Sequence, residues 1–159
     1  MLSMNISDTR SFMNHLLSQD TFDHFYLIEA SIKMGVTYHI EGRLNKAFYD
    51  TDTEKKLNRD FCYWKEIRSR IFDIIKGKRL PLSCKIILGL PSSSLSSLIE
   101  HSRCSFTPED IEGAFLNILY DPQNLLVTTG ISYRIFSPDK TLEYAFDDHI
   151  ARFLKGKLI

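Results

Sequence analysis

The sequence predicts an α+β fold in which an antiparallel sheet carries helices mainly on one face. In residues 25–32 and 36–40, apolar and polar side chains alternate, which is typical of paired strands with one buried and one wet face. A second strand pair is expected at 114–120 and 125–136. Apolar residues at helical spacing lie between and after these pairs. We therefore expect one domain over residues 1–159.

The composition is that of an ordinary globular domain. With 159 residues, 43% hydrophobic and 25% charged, the chain is long enough to bury its own core. It has no apolar run near the ~20 residues that span a membrane, and its first residues lack a secretory signal pattern. Cys62, Cys84 and Cys104 are odd in number and widely spaced, which argues against a disulfide framework. We expect a cytoplasmic protein with no membrane partner.

The first unit of the chain covers residues 1–50. A short strand at 1–6 precedes Ser7, an expected N-cap for a helix with apolar residues on one face. The following hairpin turns at Gly35, which tolerates the positive φ of tight turns. The helix residues that define the apolar face are Phe12, Met13, Leu16 and Leu17.

Residues 51–81 are predicted to form a basic helical segment between two similar units. A capping box at Thr51–Glu54 starts a long helix that runs to Lys76, and Gly77 stops it. Arg68 falls on the apolar stripe of this helix. Either the helix breaks near Tyr63 and Trp64, or Arg68 extends along the core edge to a carboxylate.

The second unit covers residues 82–136. It consists of a strand at 82–90, a helix that begins at Ser92, a single turn started by Thr107, and the second hairpin. A last helix at 138–155 closes the domain. The order strand, helix, hairpin thus occurs in both units. Chance recurrence is the alternative, because sequence identity between the units is negligible and hairpins are common in α+β folds.

Charge is uneven although the chain is neutral overall. Residues 55–79 hold nine Lys or Arg and three Asp or Glu, a local balance of +6 that the rest of the chain offsets. Such asymmetry can mark an anionic partner, and a solvated helix face is the alternative. The candidate contacts to an anion or nucleic acid are Lys55, Lys56, Arg59, Lys76, Lys78 and Arg79.

No stretch of the sequence carries a recognised catalytic or cofactor motif. The five histidines lack metal-ligand spacing, and there is no nucleophile elbow and no glycine-rich phosphate loop. We therefore predict no catalytic residue, no metal and no cofactor. The alternative is a small enzyme whose site forms on the wet sheet face from Glu29, His39 and Glu41.

Several long stretches give the chain a family likeness. They are residues 64–68, 75–83, 106–110, 115–118 and 128–130. Through them, nearly the whole chain resembles an uncharacterised family of small bacterial proteins, found mainly in anaerobic Gram-positive species. This resemblance implies no known activity.

The second unit has a further resemblance. Leu90-Pro91 precedes a leucine-rich helix, Gly113 leads into an apolar strand, and Thr129-Gly130 precedes Arg134. In this order residues 84–136 are similar to one half of a DNA sliding-clamp domain, and the resemblance implies that the first unit is the partner half. Clamps line their pore with basic helices, whereas the helix at 92–101 has no Lys or Arg. A clamp-like fold is therefore expected, without a ring that encircles DNA.

The sequence favours a non-enzymatic binding or scaffold protein. Its expected partner is nucleic acid or another protein, bound through the basic segment at 55–79. Homo-oligomer formation is left open by the sequence.

Overall fold

The computed structural model describes residues 1–52 and 57–158. In these residues, six strands form one antiparallel sheet, in the order Ser3–Asn5, Leu125–Tyr133, Ile111–Tyr120, Ser83–Gly89, Tyr26–Lys33 and Thr37–Glu41. The predicted α+β class is confirmed. The strands are β1 (Ser3–Asn5), β2 (Tyr26–Lys33), β3 (Thr37–Glu41), β4 (Ser83–Gly89), β5 (Ile111–Tyr120) and β6 (Leu125–Tyr133).

One face of the sheet is buried because side chains alternate along each strand. Ile86 of β4 lies between Ala30 of β2 and Ile118 of β5, and all three are fully buried. The neighbouring position on β4, Lys85, points to the opposite face and is exposed. The sheet is therefore apolar on one side and wet on the other, as the alternation predicts.

Four helices in the described residues add their apolar sides to this buried face and share one hydrophobic cluster with it. Among them, the helix Thr141–Leu158 packs on β6 and the helix Trp64–Ile75 packs on β2. Two 3₁₀ turns, Lys46–Phe48 and Pro108–Asp110, complete the regular elements. The helices are α1 (Thr9–Leu17), α2 (Trp64–Ile75), α3 (Ser92–Ser102) and α4 (Thr141–Leu158).

The predicted long helix from residue 51 to Lys76 is wrong in its continuity: Thr51 and Asp52 are helical, whereas residues 57–63 are not, and the part near Lys76 is α2. The helix begins only at Trp64, because residues 61–63 are extended and form isolated bridges to Arg43 and Tyr26. These bridges use backbone groups that a helix would have paired internally. Both alternatives for Arg68 occur, since the helix starts at the expected break and Arg68 also reaches a carboxylate.

The chain can come this close to itself because residue 42 is a glycine. A Cβ atom built on Gly42 would lie 1.8 Å from the carbonyl oxygen of Leu27. The Gly42 amide donates to the Ile28 carbonyl at 2.9 Å, and its carbonyl accepts from the Cys62 amide at 2.8 Å. Gly42 is thus the point at which β3 leaves β2 and residues 60–64 enter.

The start of α1 differs by one residue from the prediction. Asp8, not Ser7, is the N-cap, and its Oδ1 accepts from the Ser11 amide at 3.1 Å. Both residue types cap helices well, so the sequence alone does not separate them.

The start of α4 is held by Asp139, within the predicted cap sequence. Its Oδ1 accepts from the Thr141 amide at 3.0 Å, and its Oδ2 accepts from the Ser105 hydroxyl at 2.7 Å. Hydrogen bonds from Thr141 and then from Ser105 hold the pKa of Asp139 well below its usual range. The helix continues through Gly156 to Leu158, beyond its predicted end, because one glycine costs a helix only about 1 kcal/mol.

The second hairpin is shifted toward the N-terminus relative to the prediction. The turn started by Thr107 is complete at Asp110, so β5 begins at Ile111 instead of residue 114. At the other end β6 stops at Tyr133, and Phe136 is almost fully exposed.

The two units share an order of elements but not a set of strand pairings. Each runs strand, helix and hairpin, as β1-α1-β2-β3 and as β4-α3-β5-β6. In the second unit β4 pairs with β5, whereas β1 pairs only with β6 on the far side of the sheet. The clamp resemblance therefore stays a prediction. No helix in the described part of the chain combines the length and apolar character needed to cross a membrane.

Candidate functional site

Of the six predicted cationic contacts, the four that the structure describes do not form one cluster. Lys55 and Lys56 lie outside the described residues, as do two residues of the predicted capping box, Thr53 and Glu54. Arg59 lies before α2, in the segment that bridges to β2. The other three predicted contacts, Lys76, Lys78 and Arg79, lie in the loop just after α2.

Arg59 is occupied by the protein itself. Its guanidinium donates to Glu66 Oε1 at 2.5 Å and to the Phe61 carbonyl at 3.1 Å, and it lies 4.4 Å from the ring centroid of Tyr63. Partial burial disfavours the ionised form of Glu66 and by itself would raise its pKa. The hydrogen bonds from Arg59 and from the Tyr63 amide outweigh this effect of burial and lower the pKa of Glu66. This arrangement stabilises the start of α2, so Arg59 is poorly placed to bind an external anion.

The loop after α2 keeps its charge available to solvent. Lys76 Nζ lies 3.0 Å from Asp73 Oδ1, and the Lys76 side chain is still 59% exposed. Lys78 and Arg79 are exposed and have no ion pair among the described residues. Gly77 has a φ of +147°, a conformation that side chains disfavour, and it turns the chain away from the helix axis.

This loop borders a groove of about 910 Å³ between α1 and the end of α2. We call it the α1–α2 groove. Apolar side chains from both helices and the loop make up much of its surface, and cations lie at its border. Its main lining residues are Arg10, Met13, Leu17, Phe72, Ile75, Lys76, Leu80 and Pro81.

The groove exposes more apolar surface than a simple solvated helix face. Phe72 is 39% exposed and Leu80 is 69% exposed. An exposed cation, Arg10, lines the groove from α1. A carboxylate that lines the groove, Asp8, already caps α1.

Two contacts hold the helices that form the groove in place. The indole Nε1 of fully buried Trp64 donates to the Leu16 carbonyl at 2.7 Å. Arg68 Nε donates to Asp23 Oδ1 at 2.7 Å, and its two terminal nitrogens donate to Asp23 Oδ2 at 3.3 Å and to the Leu17 carbonyl at 3.4 Å. Both contacts join α2 to the last turn of α1 or to the residues just after it. The groove walls are therefore pre-positioned.

Sequence reasoning identified the loop cations of the groove but missed its other members. Arg10 is isolated in the sequence, and only the packing of α1 beside α2 brings it to the same groove. For Leu80 and Pro81 a signal was present, since two apolar residues directly follow four loop residues, Lys76-Gly77-Lys78-Arg79.

The alternative site on the wet sheet face does come together. Glu29 and Glu41 are direct partners across β2 and β3, and His39 Nε2 lies 3.8 Å from Glu41 Oε1. The His39 side chain is 53% exposed and that of Glu41 76% exposed. Glu29 and Glu41 also line a cleft of about 750 Å³ together with Arg43 and Arg134, but His39 does not. Such exposure leaves these groups in water, without the exclusion of solvent that strengthens catalytic electrostatics.

No group of three or more histidine, cysteine or acidic side chains is arranged to hold a metal ion in residues 1–52 and 57–158. The three cysteines are free thiols. Burial raises the pKa of Cys84 to about 12, so this thiol is a core residue and not a nucleophile.

Comparison with protein families gives one match that covers most of the chain. Residues 15–159 match a family of unknown function, DUF5721. The chain belongs to this family. The predicted membership in an uncharacterised family is thereby confirmed, while the bacterial source and the clamp likeness stay predictions. Neither the curated proteins nor the solved structures gave a match.

The DUF5721 match includes the α2 and loop side of the groove but not the first part of α1. Both α2 and the loop with Lys78 and Arg79 lie inside it, and so does the end of α1 that Trp64 and Arg68 contact. Arg10 and Met13 precede the matched residues.

Proposed function

We propose that this protein is a non-enzymatic binding protein that docks an acidic partner in the α1–α2 groove. The observation that carries the proposal is that exposed apolar side chains line one groove and that unpaired cationic side chains follow in the loop that borders it. Phe72 and Leu80 are exposed beside Lys78 and Arg79, which have no ion pair in the described residues. Exposed apolar surface rimmed by charge is typical of a protein interaction site.

The charge of the groove favours a negatively charged partner. Arg10 and Lys76 line it, and Lys78 and Arg79 follow in the same loop, whereas the lining carboxylate Asp8 is used as a helix cap. Cations at the rim of an interface raise the association rate of an anionic partner and exclude cationic ones.

The apolar walls favour an acidic protein segment over nucleic acid. Apolar surface from Met13, Phe72 and Leu80 complements leucine-like side chains. A groove between two helices also suits an amphipathic helix. A duplex would present phosphates to the loop and leave these walls uncovered. The clamp resemblance instead favours nucleic acid, so oligonucleotides belong in the test.

The experiment is a fluorescence anisotropy titration with four labelled probes. They are an amphipathic peptide with leucines on one helical face and glutamates elsewhere, a scrambled peptide of the same composition, a single-stranded oligonucleotide and a double-stranded one. We expect the first peptide to bind most tightly, and its binding to weaken when salt is raised from about 50 mM to about 300 mM. Tighter binding of either oligonucleotide would replace the acidic segment with nucleic acid as partner, and no binding of any probe would refute the proposal.

A pair of charge-matched variants locates the binding. Lys78→Glu/Arg79→Glu should weaken peptide binding about tenfold or more, which corresponds to about 1.4 kcal/mol. Lys65→Glu/Arg70→Glu makes the same change in net charge on α2, away from the groove residues, and should change it far less. Equal effects of both variants would show that binding follows net charge and not the groove.

We also propose the cytoplasm as the compartment of this protein. Cys62, Cys84 and Cys104 are all unpaired, which supports a reducing environment.

A further inference from the structure

The outer edge of β3 presents backbone groups that nothing in residues 1–52 and 57–158 pairs with. Two backbone hydrogen bonds, one at each end of β3, show which of its residues bond to β2. The Met34 amide donates to the Val36 carbonyl at 3.0 Å, and the Gly42 amide donates to the Ile28 carbonyl at 2.9 Å. In an antiparallel strand the backbone amide and carbonyl of successive residues point alternately to the two neighbouring sides, so the even-numbered residues of β3 bond to β2. The amides and carbonyls of the odd-numbered residues therefore point outward; they are Thr37, His39 and Glu41.

This edge has little of the usual protection against pairing, and Glu41 is its one acidic or basic side chain besides His39. Proteins guard edge strands with lysine, proline, bulges or very short strands. β3 has neither lysine nor proline, and its pairing with β2 runs without a register shift. The opposite edge of the sheet, β1, is only 3 residues long. Of the two edges, β3 is the one built to accept another strand.

We propose that β3 pairs with β3 of a second copy of this chain, antiparallel and centred on His39. A two-fold axis at His39 brings outward-pointing groups face to face at positions 37, 39 and 41. Thr37 then lies opposite Glu41 of the partner subunit, and the two His39 residues face each other. This register lets each outward amide and carbonyl find a partner, so the two sheets become one continuous sheet.

Side chains are compatible with this register on both faces of the sheet. On the helix-covered side, Tyr38 lies opposite Ile40 of the partner subunit, an aromatic and β-branched pair of the kind that stabilises adjacent strands. Tyr38 is 40% exposed, so it has surface to bury there. On the open face the Glu41 carboxylate lies opposite a threonine and not opposite another acid. A second copy thus fits the edge without a like-charge contact between Glu41 residues.

The strand is short, so the dimer should be weak. Pairing over Thr37–Glu41 alone buries less surface than a stable interface requires. We expect a monomer of 18.5 kDa at low concentration and a growing fraction of dimer as the concentration rises.

The test is sedimentation equilibrium of the whole chain over a wide concentration range, with two substitutions at one position. His39→Pro removes an outward amide and no bond to β2, and proline is tolerated in edge strands. His39→Ala removes the side chain and keeps the amide. We expect dimer formation to be lost in His39→Pro and retained in His39→Ala, with both variants folded by circular dichroism.

A second pair of variants tests the register and does not depend on proline. Thr37→Lys places a cation opposite Glu41 of the partner subunit and should strengthen the dimer. Thr37→Glu places two acids there and should weaken it. Within the chain, position 37 faces Lys33, so Thr37→Glu gains a favourable neighbour and its fold is not at risk.

Three results would overturn the proposal. They are a wild-type protein that stays monomeric at the highest concentrations, a dimer that His39→Pro leaves unchanged, and the same response to Thr37→Lys as to Thr37→Glu. The first result would leave the edge to a strand of a different protein. Peptide binding in the groove is measured separately, so failure here does not affect that proposal.

Discussion

The ion pair between Arg68 and Asp23 should be a principal support of the α1–α2 groove. The Asp23 side chain is 9% exposed and that of Arg68 23% exposed, and Arg68 is bonded to both carboxylate oxygens. Arg68→Met keeps most of the stem volume but leaves a buried carboxylate without its partner. Breaking a buried pair costs ~3–5 kcal/mol, and partial exposure of Arg68 lowers our expectation to about 3 kcal/mol.

A double-mutant cycle separates the pair from its surroundings. We expect Asp23→Asn to cost about 2 kcal/mol, and Arg68→Met/Asp23→Asn to cost about 3 kcal/mol because the carboxylate is no longer left unpaired. The coupling energy should then be about 2 kcal/mol. The measurement is urea unfolding followed by circular dichroism, with the free energy of unfolding extrapolated to water.

The reasoning would be refuted by a cost for Arg68→Met within about 0.5 kcal/mol of zero, which is typical of a surface position. Additive single costs would also contradict it, because they would mean that the two side chains do not interact. Lys65→Met, at an exposed position on the same helix, is the matched control and should change stability little.

Three further predictions test other parts of the fold. Gly42→Ala should lower the melting temperature strongly or prevent folding, because its Cβ would lie 1.8 Å from the Leu27 carbonyl oxygen; Gly35→Ala, where nothing lies within 4 Å, is the control. The lowered pKa of Asp139 means that its carboxylate stabilises the fold above the unfolded-state pKa of about 3.9 and loses this effect as pH falls below it. Asp139→Asn should therefore lower the melting temperature at neutral pH and approach wild type in acid. Cys84, with its pKa raised to about 12, should resist alkylation at mildly basic pH in the native protein and react fully once unfolded, as read by mass spectrometry.

Each of these predictions has a clear contrary result. Equal melting temperatures of the two glycine variants would contradict the close approach at Gly42. A constant difference between Asp139→Asn and wild type at all pH values would contradict the assigned role of the carboxylate. Rapid alkylation of Cys84 in the folded protein would place this residue outside the core.

The local pattern of apolar and polar residues was sufficient to predict the hairpins, because side chains alternate between the buried and the wet face along each strand. It was insufficient for residues 57–63, where Leu57, Phe61 and Trp64 have helical spacing. Phe61 and Tyr63 are extended because they bridge to Arg43 and Tyr26, which are far away in the sequence. The order of strands in the sheet depends on the same kind of distant pairing, and so no local pattern reveals it.

The candidate site was predictable only in part for a similar reason. A run of basic residues is visible in the sequence, and it includes Lys78 and Arg79 of the loop that borders the groove. Charge alone does not show which cation is already bound within the chain, and Arg59 is paired with Glu66 seven positions later. The groove itself arises from the packing of α1 beside α2, which brings Arg10 near a loop about 70 residues away in the sequence.

The most direct test of the proposed function is a backbone amide NMR titration with the amphipathic acidic peptide. The account predicts shift changes that saturate and are concentrated in α1 around Arg10 and in the chain from Phe72 to Leu80, with little change on the open sheet face. Shift changes centred on that face, around Glu29 and Glu41, or no change at all, would contradict the assignment of the α1–α2 groove as the binding site.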